Sequence, residues 1–239
     1  MAQGVKRKVG SEREKMEKQK LIVIEGLDGS GKATQTGLLE QSLLEEKKLK
    51  IRKVSFPNYD SASSAVIKMY LEGQFGTDPK SVNAYAASAF YAVDRYASFK
   101  KDWREDYENG LIIADRYTTS NAIHQCAKLP REEWDAYLTW LFDFEYEKMG
   151  VPKPDIVFYL KVDPEVSQKL MMNRYQGNAL KKDIHEKNVN YLKRCEIAAE
   201  YCSRKYGWKA VECCAKKEMR NIEEIHMEIL RTLYDGREE

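Results

Sequence analysis

Leu21-Ile22-Val23-Ile24-Glu25-Gly26-Leu27-Asp28-Gly29-Ser30-Gly31-Lys32-Ala33-Thr34 is the stretch on which the fold turns. Its first four residues form a short apolar run, the pattern of a strand buried on both faces. Glycines follow, and a helical stretch opens at Lys32 with Leu38, Leu39, Leu43 and Leu44 on one face. Strand, glycine-rich turn and helix are the setting in which Gly-x-x-x-x-Gly-Lys forms a phosphate cradle, or P-loop. Over residues 26–34 the glycines let backbone N–H groups point inward at phosphate oxygens. The helix N-terminus adds partial positive charge, and Lys32 reaches the transferred phosphate. The usual pattern continues with a Ser or Thr that ligates magnesium, but here Ala33 follows and then Thr34. Magnesium keeps several waters and needs few protein ligands. Water, phosphate oxygens and Thr34 hold it in one reading; a nucleotide binder without turnover is the other.

The same alternation continues along the chain. Residues 51–56 read as a second strand stopped by Pro57, 111–114 as a third ending in Asp115, 155–162 as a fourth and 208–213 as a fifth. Helical patterns occupy 63–72, 81–108, 121–127, 131–149, a stretch opening at Pro164, a long helix ending near Tyr206, and 222–233. Strands alternating with helices imply an α/β fold: a five-stranded parallel sheet with helices on both faces, the three-layer P-loop NTPase arrangement. Ligands of such sheets bind beyond the carboxyl ends of the strands, where the informative residues of this chain cluster. The polar segment 174–186 reads as a small lid, with Gly177 and Asn178 allowing bends. Residues 1–19 read as a charged, disordered extension and 20–239 as one domain.

Composition narrows the class. With 239 residues, 43% of them hydrophobic, the chain is long enough to bury a substantial core. Its 40 basic and 38 acidic residues leave a net charge of +2, not the strongly basic balance that bulk nucleic-acid binding usually shows. An anion site must come from local placement of charge. No apolar run approaches the ~18–20 residues of a membrane span, and no signal-peptide pattern opens the sequence. Five cysteines without a Cys-x-x-Cys pair suit a reduced, cytoplasmic protein, and Cys213 and Cys214 read as core. Three histidines without metal spacing argue against zinc. His185, among charged neighbours, reads as exposed. Trp134, Trp140, Phe142 and Phe144 read as core or subunit contact.

Several spaced motifs together resemble the thymidylate kinases, from about residue 20 to the C-terminus. They are the cradle Gly26-Leu27-Asp28-Gly29-Ser30-Gly31-Lys32, Phe56-Pro57-Asn58-Tyr59 and Phe90-Tyr91-Ala92-Val93-Asp94-Arg95. After these come Asp115-Arg116-Tyr117-Thr118-Thr119-Ser120-Asn121 and Pro154-Asp155-Ile156-Val157. The resemblance implies a kinase that moves the γ-phosphoryl of ATP to dTMP with Mg²⁺, commonly as a homodimer. It implies that residues 26–34 and Lys32 bind ATP phosphates, that Arg95 holds the acceptor phosphate and that Arg116 neutralises charge between donor and acceptor. It further implies that Tyr91 stacks on thymine and that Phe56 and Pro57 line its pocket. Asn121 would bond the base, Asp28 would meet the sugar hydroxyl or Arg95, and Asp115 would organise magnesium through water. Members carry an arginine either in the cradle or in the lid. Gly29 and Ser30 supply none, so Arg174, Lys181 and Lys182 are the candidate lid cations. Asp183 and Glu186 either clamp the lid or solvate it. Two departures are plain: Asn58 stands where many members carry arginine, and His124 where some carry a tyrosine that crowds the ribose, leaving sugar discrimination open. Adenylate kinases, a related family, carry Gly-Lys-Gly-Thr in the cradle, which supports activity with Ala33.

The chemistry asks for these residue types. Joining two anions in a low-dielectric site demands cations and exclusion of water, and arginine grips phosphate oxygens in a fork. A monophosphate acceptor is already ionised, its second pKa being about 6, so no general base is required. A nucleoside kinase needs a carboxylate base, and 56–59 offers none. A kinase for another monophosphate or for a deoxynucleoside, and a degenerate nucleotide binder, remain the alternatives.

Overall fold

The first strand, β1 (Leu21–Gly26), is buried along its whole length because it lies in the middle of a sheet. The computed structural model describes residues 19–47, 50–174 and 183–235. β2 (Ile51–Ser55), β3 (Leu111–Asp115), β4 (Ile156–Lys161) and β5 (Lys209–Glu212) complete a five-stranded sheet in the order β2-β3-β1-β4-β5. All four pairings are parallel, with Val23 opposite Ala114 on one side and Val157 on the other. Asp155 sets the start of β4, because its carboxylate accepts the backbone N–H groups of Lys20 and Leu21 at 2.7 and 2.8 Å. Edge strand β2 is the least covered of the first four and carries Arg52 and Lys53, charges that discourage pairing with a further chain.

Side chains alternate across the sheet. On one face Leu21, Val23, Ile112, Ala114 and Tyr159 meet α3 (Ala84–Ser98), α5 (Thr118–Cys126) and α8 (Val189–Tyr206) through residues such as Ala84, Ile123, Cys195 and Ala198. On the other, Ile22, Ile24, Ile113, Phe158 and Leu160 meet α1 (Lys32–Lys47) and α9 (Ile222–Asp235) through Leu39, Leu43, Ile225 and Ile229. The remaining helices are α2 (Ala65–Leu71), α4 (Arg104–Asn109), α6 (Trp134–Phe142) and α7 (Pro164–Arg174). None of the helices described is long and apolar enough to cross a membrane.

Differences from the sequence reading have local causes. α5 begins at Thr118 rather than 121, despite the weak helix propensity of threonine. The hydroxyls of Thr118 and Thr119 donate to the buried carboxylates of Glu145 and Glu25, which offsets that weakness. The helices read at 81–108 and 131–149 each widen into a π-turn, Phe99–Trp103 and Asp143–Lys148. A small hairpin, β6 (Cys214–Ala215) and β7 (Glu218–Met219), turns through Lys216 and Lys217 at positive φ, without a glycine to mark it. Lys181, Lys182 and most of the lid, together with the extension over 1–18, lie outside the described residues, as does the side chain of Arg174.

Candidate active site

The cradle closes because two of its glycines cannot be replaced. At Gly29, φ is +79°, and a Cβ would lie 2.8 Å from the carbonyl oxygen of Ser167 on α7. At Gly26, a Cβ would sit 2.5 Å from Ser30 Oγ and 2.9 Å from Leu160 O. The loop is thus wedged between β4, α7 and its own turn, and Ser167 Oγ donates to the Asp28 carbonyl. Inside it, Ser30 Oγ is buried and has no partner among the described residues. Lys32 is 7% exposed and folds back so that Nζ donates to Leu27 O at 2.8 Å. Burial, then the neighbouring Arg116 charge, lower its pKa to about 8, while Asp28, Asp115 and Glu25 pull the other way. Ala33 and Thr34 are both exposed on the first turn of α1.

Arg116 follows β3 at φ 66°, a left-handed conformation unusual for a non-glycine residue. That turn sends its guanidinium back over the cradle. Nη1 donates to Gly26 O at 3.1 Å and lies 3.4 Å from Glu25 Oε1, and Nη2 donates to Asp28 Oδ1 at 2.5 Å. Burial opposes the charged form of Arg116, but Asp28 and Glu25 overcome it and raise its pKa. Burial would likewise lift the Asp28 carboxyl, yet Arg116 and Lys32 hold it well below the usual carboxylate range. Glu25 sits beneath, wholly buried, and accepts from Gly26 N, Thr119 Oγ1 and Ser120 Oγ at 2.9, 2.7 and 2.8 Å. Of the two partners expected for Asp28, a sugar hydroxyl or Arg95, the arginine is corrected: Asp28 pairs with Arg116.

Beyond Arg116 a cavity opens, lined by Phe56, Pro57, Tyr59, Tyr91, Arg95, Asn121, His124, Gln125, Asp183 and His185 as well as Asp28 and Arg116. Arg95 reaches it with its charge already answered. Its Nε and Nη2 each donate to Glu145 at 2.6 Å, and the two side chains are 2% and 0% exposed. Asn121 joins the same carboxylate, its Nδ2 donating to Glu145 Oε1 at 3.0 Å and to Ser88 O at 3.2 Å. Asp94, beside Arg95, anchors the loop after β2 by accepting from Asn58 N and Ser63 Oγ at 2.8 and 2.6 Å. Breaking a buried pair by removing one partner strands the other charge. Glu145→Gln is therefore expected to lower the unfolding free energy by about 3–5 kcal/mol, read in urea. A loss below ~1 kcal/mol would contradict so central a role for Glu145.

His185 is not exposed. It is 5% accessible, stacks on His124 with ring centroids 5.7 Å apart, and meets the Tyr70 hydroxyl at 2.7 Å. The residues around it form a turn in which Asp183 Oδ1 accepts from the N–H groups of His185 and Glu186. That turn tucks Ile184 and His185 inward. Burial lowers the pKa of both rings, that of His124 to about 3, with Arg116 adding to the effect. Burial also raises Asp183 to about 7 and lowers Lys128, which donates to Tyr70 OH and Val82 O, to about 7.

Five contributors escaped the sequence reading: Glu25, Gln125, Lys128, Glu145 and an inward His185. A charged residue inside the apolar run of β1 was a usable signal for Glu25. Glu145 had none, since Asp143 and Glu147 flank it in the same pattern.

Comparison with known proteins follows this geometry. A family model described as Thymidylate kinase matches residues 24–229. The thymidylate kinase of Mycobacterium tuberculosis (strain H37Rv) is 28% identical over 192 residues, spanning 78% of this chain and 87% of that protein. That of Plasmodium falciparum (isolate 3D7) is 27% identical over 217 residues, spanning 90% and 89%. Among solved structures, a thymidylate kinase from Candida albicans superposes with a TM-score of 0.64 at 20% identity and covers 92% of each chain, a likeness of fold.

Proposed function

The chain belongs to the thymidylate kinase family, and from that premise we propose that its site moves the γ-phosphoryl of ATP directly onto the phosphate of dTMP, giving dTDP and ADP. The observation that carries this is Arg116, whose guanidinium joins the glycine cradle on one side to a cavity with aromatic walls on the other. The unpartnered Ser30 Oγ and the folded-back Lys32 Nζ are donors that a polyphosphate would engage. The acceptor oxygen attacks as an ionised phosphate, so the residues around it need only orient it, exclude water and offset charge. Arg116 and Lys32 supply that charge.

Arg95 is better suited to the neutral end of the acceptor than to its phosphate. Its Nε and Nη2 are both spent on a wholly buried Glu145, whereas Arg116 keeps some exposure and pairs most closely with the part-exposed Asp28, so the Arg95 fork has fewer donors left for an anion. Tyr91 and Phe56, both cavity residues, provide flat apolar surface for a base.

Magnesium fits the donor set as a lightly held ion. Among the described residues no group of three or more His, Cys, Asp or Glu could hold a metal. A magnesium ion bound mainly by water and nucleotide phosphates needs only one or two carboxylates. Asp115 and Asp28, both close enough to act on the Lys32 charge, would hold its water shell. When bound, the ion would neutralise phosphate charge during transfer. Ala33→Ser adds a hydroxyl on the exposed first turn of α1 and is expected to lower the Mg²⁺ concentration for half-maximal rate a few-fold, with kcat little changed. An unchanged magnesium requirement would argue that the position plays no part in holding the ion.

The test of the acceptor is a panel of monophosphates and nucleosides with ATP and Mg²⁺, scored by ADP release. dTMP should give the highest kcat/KM. A clear preference for a purine monophosphate, or for thymidine over dTMP, would refute the proposal.

A further inference from the structure

Lys128 lies just past the end of α5, is 8% exposed, and has no carboxylate paired with it among the described residues. Its Nζ donates instead to two neutral oxygens, Tyr70 OH at 2.8 Å and Val82 O at 2.9 Å. Tyr70, on α2, is wholly buried and turns the same hydroxyl toward His185 Nε2 at 2.7 Å, with Pro79 O further off at 3.4 Å. His185 in turn lines the acceptor cavity, and its Nδ1 has no hydrogen-bond partner among the described residues. A buried ion held only by neutral groups carries a cost that a methionine in the same place would not. Ammonium, hydroxyl and imidazole come from three separate parts of the chain, and the fold sets them in a line that ends at the cavity.

The direction of each bond follows from the count of donors. An ammonium has three donors and no acceptor. Tyr70 must therefore accept from Lys128 and pass its own single proton on, and the 2.7 Å contact makes His185 Nε2 the receiver. The other ring nitrogen then carries the proton of the imidazole. We infer that Lys128, acting through Tyr70, is a positioning residue that keeps the His185 proton on Nδ1, so that this wall of the cavity offers the acceptor nucleotide a hydrogen-bond donor. Its partner is an oxygen of that nucleotide, and the inference rests on the reading of the site as a thymidylate kinase. Burial lowers Lys128 to about 7, and the arrangement is imposed below that pH. Above it the neutral amine has a lone pair and can accept from Tyr70, whose oxygen is then free to accept from a protonated Nε2. Nδ1 can then offer a lone pair instead. Burial keeps His185 itself neutral. Asp78 and Cys195 face Lys128, while His124, Asp28, Arg116, Lys128 and Tyr191 face His185. Asp183, which accepts the His185 backbone N–H, titrates near the same pH.

The test is the nitrogen-15 NMR spectrum of ligand-free protein labelled at its three histidines, with His185→Gln to assign the signals. Below pH 7 the wild type should show His185 protonated at Nδ1 and bare at Nε2. As pH rises, proton population should move toward Nε2 with a midpoint near 7. Lys128→Met and Tyr70→Phe should each release the preference at low pH and abolish its change with pH. Lys128→Met should also raise the KM for dTMP below pH 7 by roughly three- to tenfold, the worth of one hydrogen bond, while the KM for ATP stays put. A proton on Nε2 of the wild type at low pH overturns the inference, and so does a tautomer that stays the same through the titration of Lys128. Both are read without any variant. A pH change that persists in Lys128→Met belongs to Asp183 and overturns it too. If wild type is inert toward dTMP, the reading of the site falls and this inference with it. If dTMP turns over and its KM is unmoved in Lys128→Met, only this inference falls.

Discussion

Replacing Arg116 by methionine lowers kcat by on the order of 10³-fold or more, the range seen when a transition-state arginine is lost in phosphoryl transfer. Arg116 Nη1 donates to Gly26 O and Nη2 to Asp28 Oδ1, so its fork lies where donor and acceptor phosphates would meet. Two like charges at 4 Å repel by about 4 kcal/mol at a surface-like dielectric and by more in a drier site. Without the guanidinium that repulsion rises along the reaction path and acts mainly on kcat rather than on the KM for ATP. Arg116→Met also strips a charge partner from the buried Glu25, so part of its effect would be structural. Arg116→Lys separates the two. It keeps the charge and the left-handed backbone but loses the fork, so kcat should still fall at least ~10-fold while the unfolding midpoint moves little. A kcat for Arg116→Met within tenfold of wild type would sink the role assigned to it.

Replacing Lys32 by methionine is expected to lower kcat by roughly 10²- to 10³-fold and to raise the KM for ATP, the usual effect of removing a preorganised charged donor. In the free protein Nζ rests on Leu27 O at 2.8 Å. That is a weak claim on a cation, and phosphate would displace it. The pKa near 8 adds a pH signature. Phosphate binds the protonated amine, so below pH 8 the free protein is ready to bind. Above pH 8 the amine loses its proton, and the KM for ATP should climb by up to about tenfold per pH unit until the unmodified range of lysine is reached. Lys32→Met should flatten that climb. A wild-type KM for ATP that stays level from neutral to strongly alkaline pH would contradict the assignment.

The parts of this molecule that were legible in advance are those in which local pattern and tertiary role coincide. The apolar run at 21–24, the glycines after it and Lys32 announce strand, turn and helix together, and the structure agrees from β1 through α1. Arg116 stood out because it directly follows a strand, and the resemblance alone gave it a role. The sheet order β2-β3-β1-β4-β5 was not, since each strand carries similar apolar residues and nothing local says which pair. Glu145 was hidden because Asp143, Glu145 and Glu147 look alike in sequence; only the π-turn and the packing of α5 select the middle one for Arg95. His185 was misjudged for the same reason. Its polar neighbours Asp183 and Glu186 spend hydrogen bonds on making a turn, and that turn drives the histidine into the cavity.

Purified chain mixed with Mg²⁺, dTMP and ATP labelled in its γ-phosphate reads the transfer itself. The label should appear in dTDP, one for each ADP formed, and formation of both should stop when dTMP is left out. Label released as inorganic phosphate at the same rate with or without dTMP, or no ADP formed at all, would contradict direct transfer between the two nucleotides at Arg116.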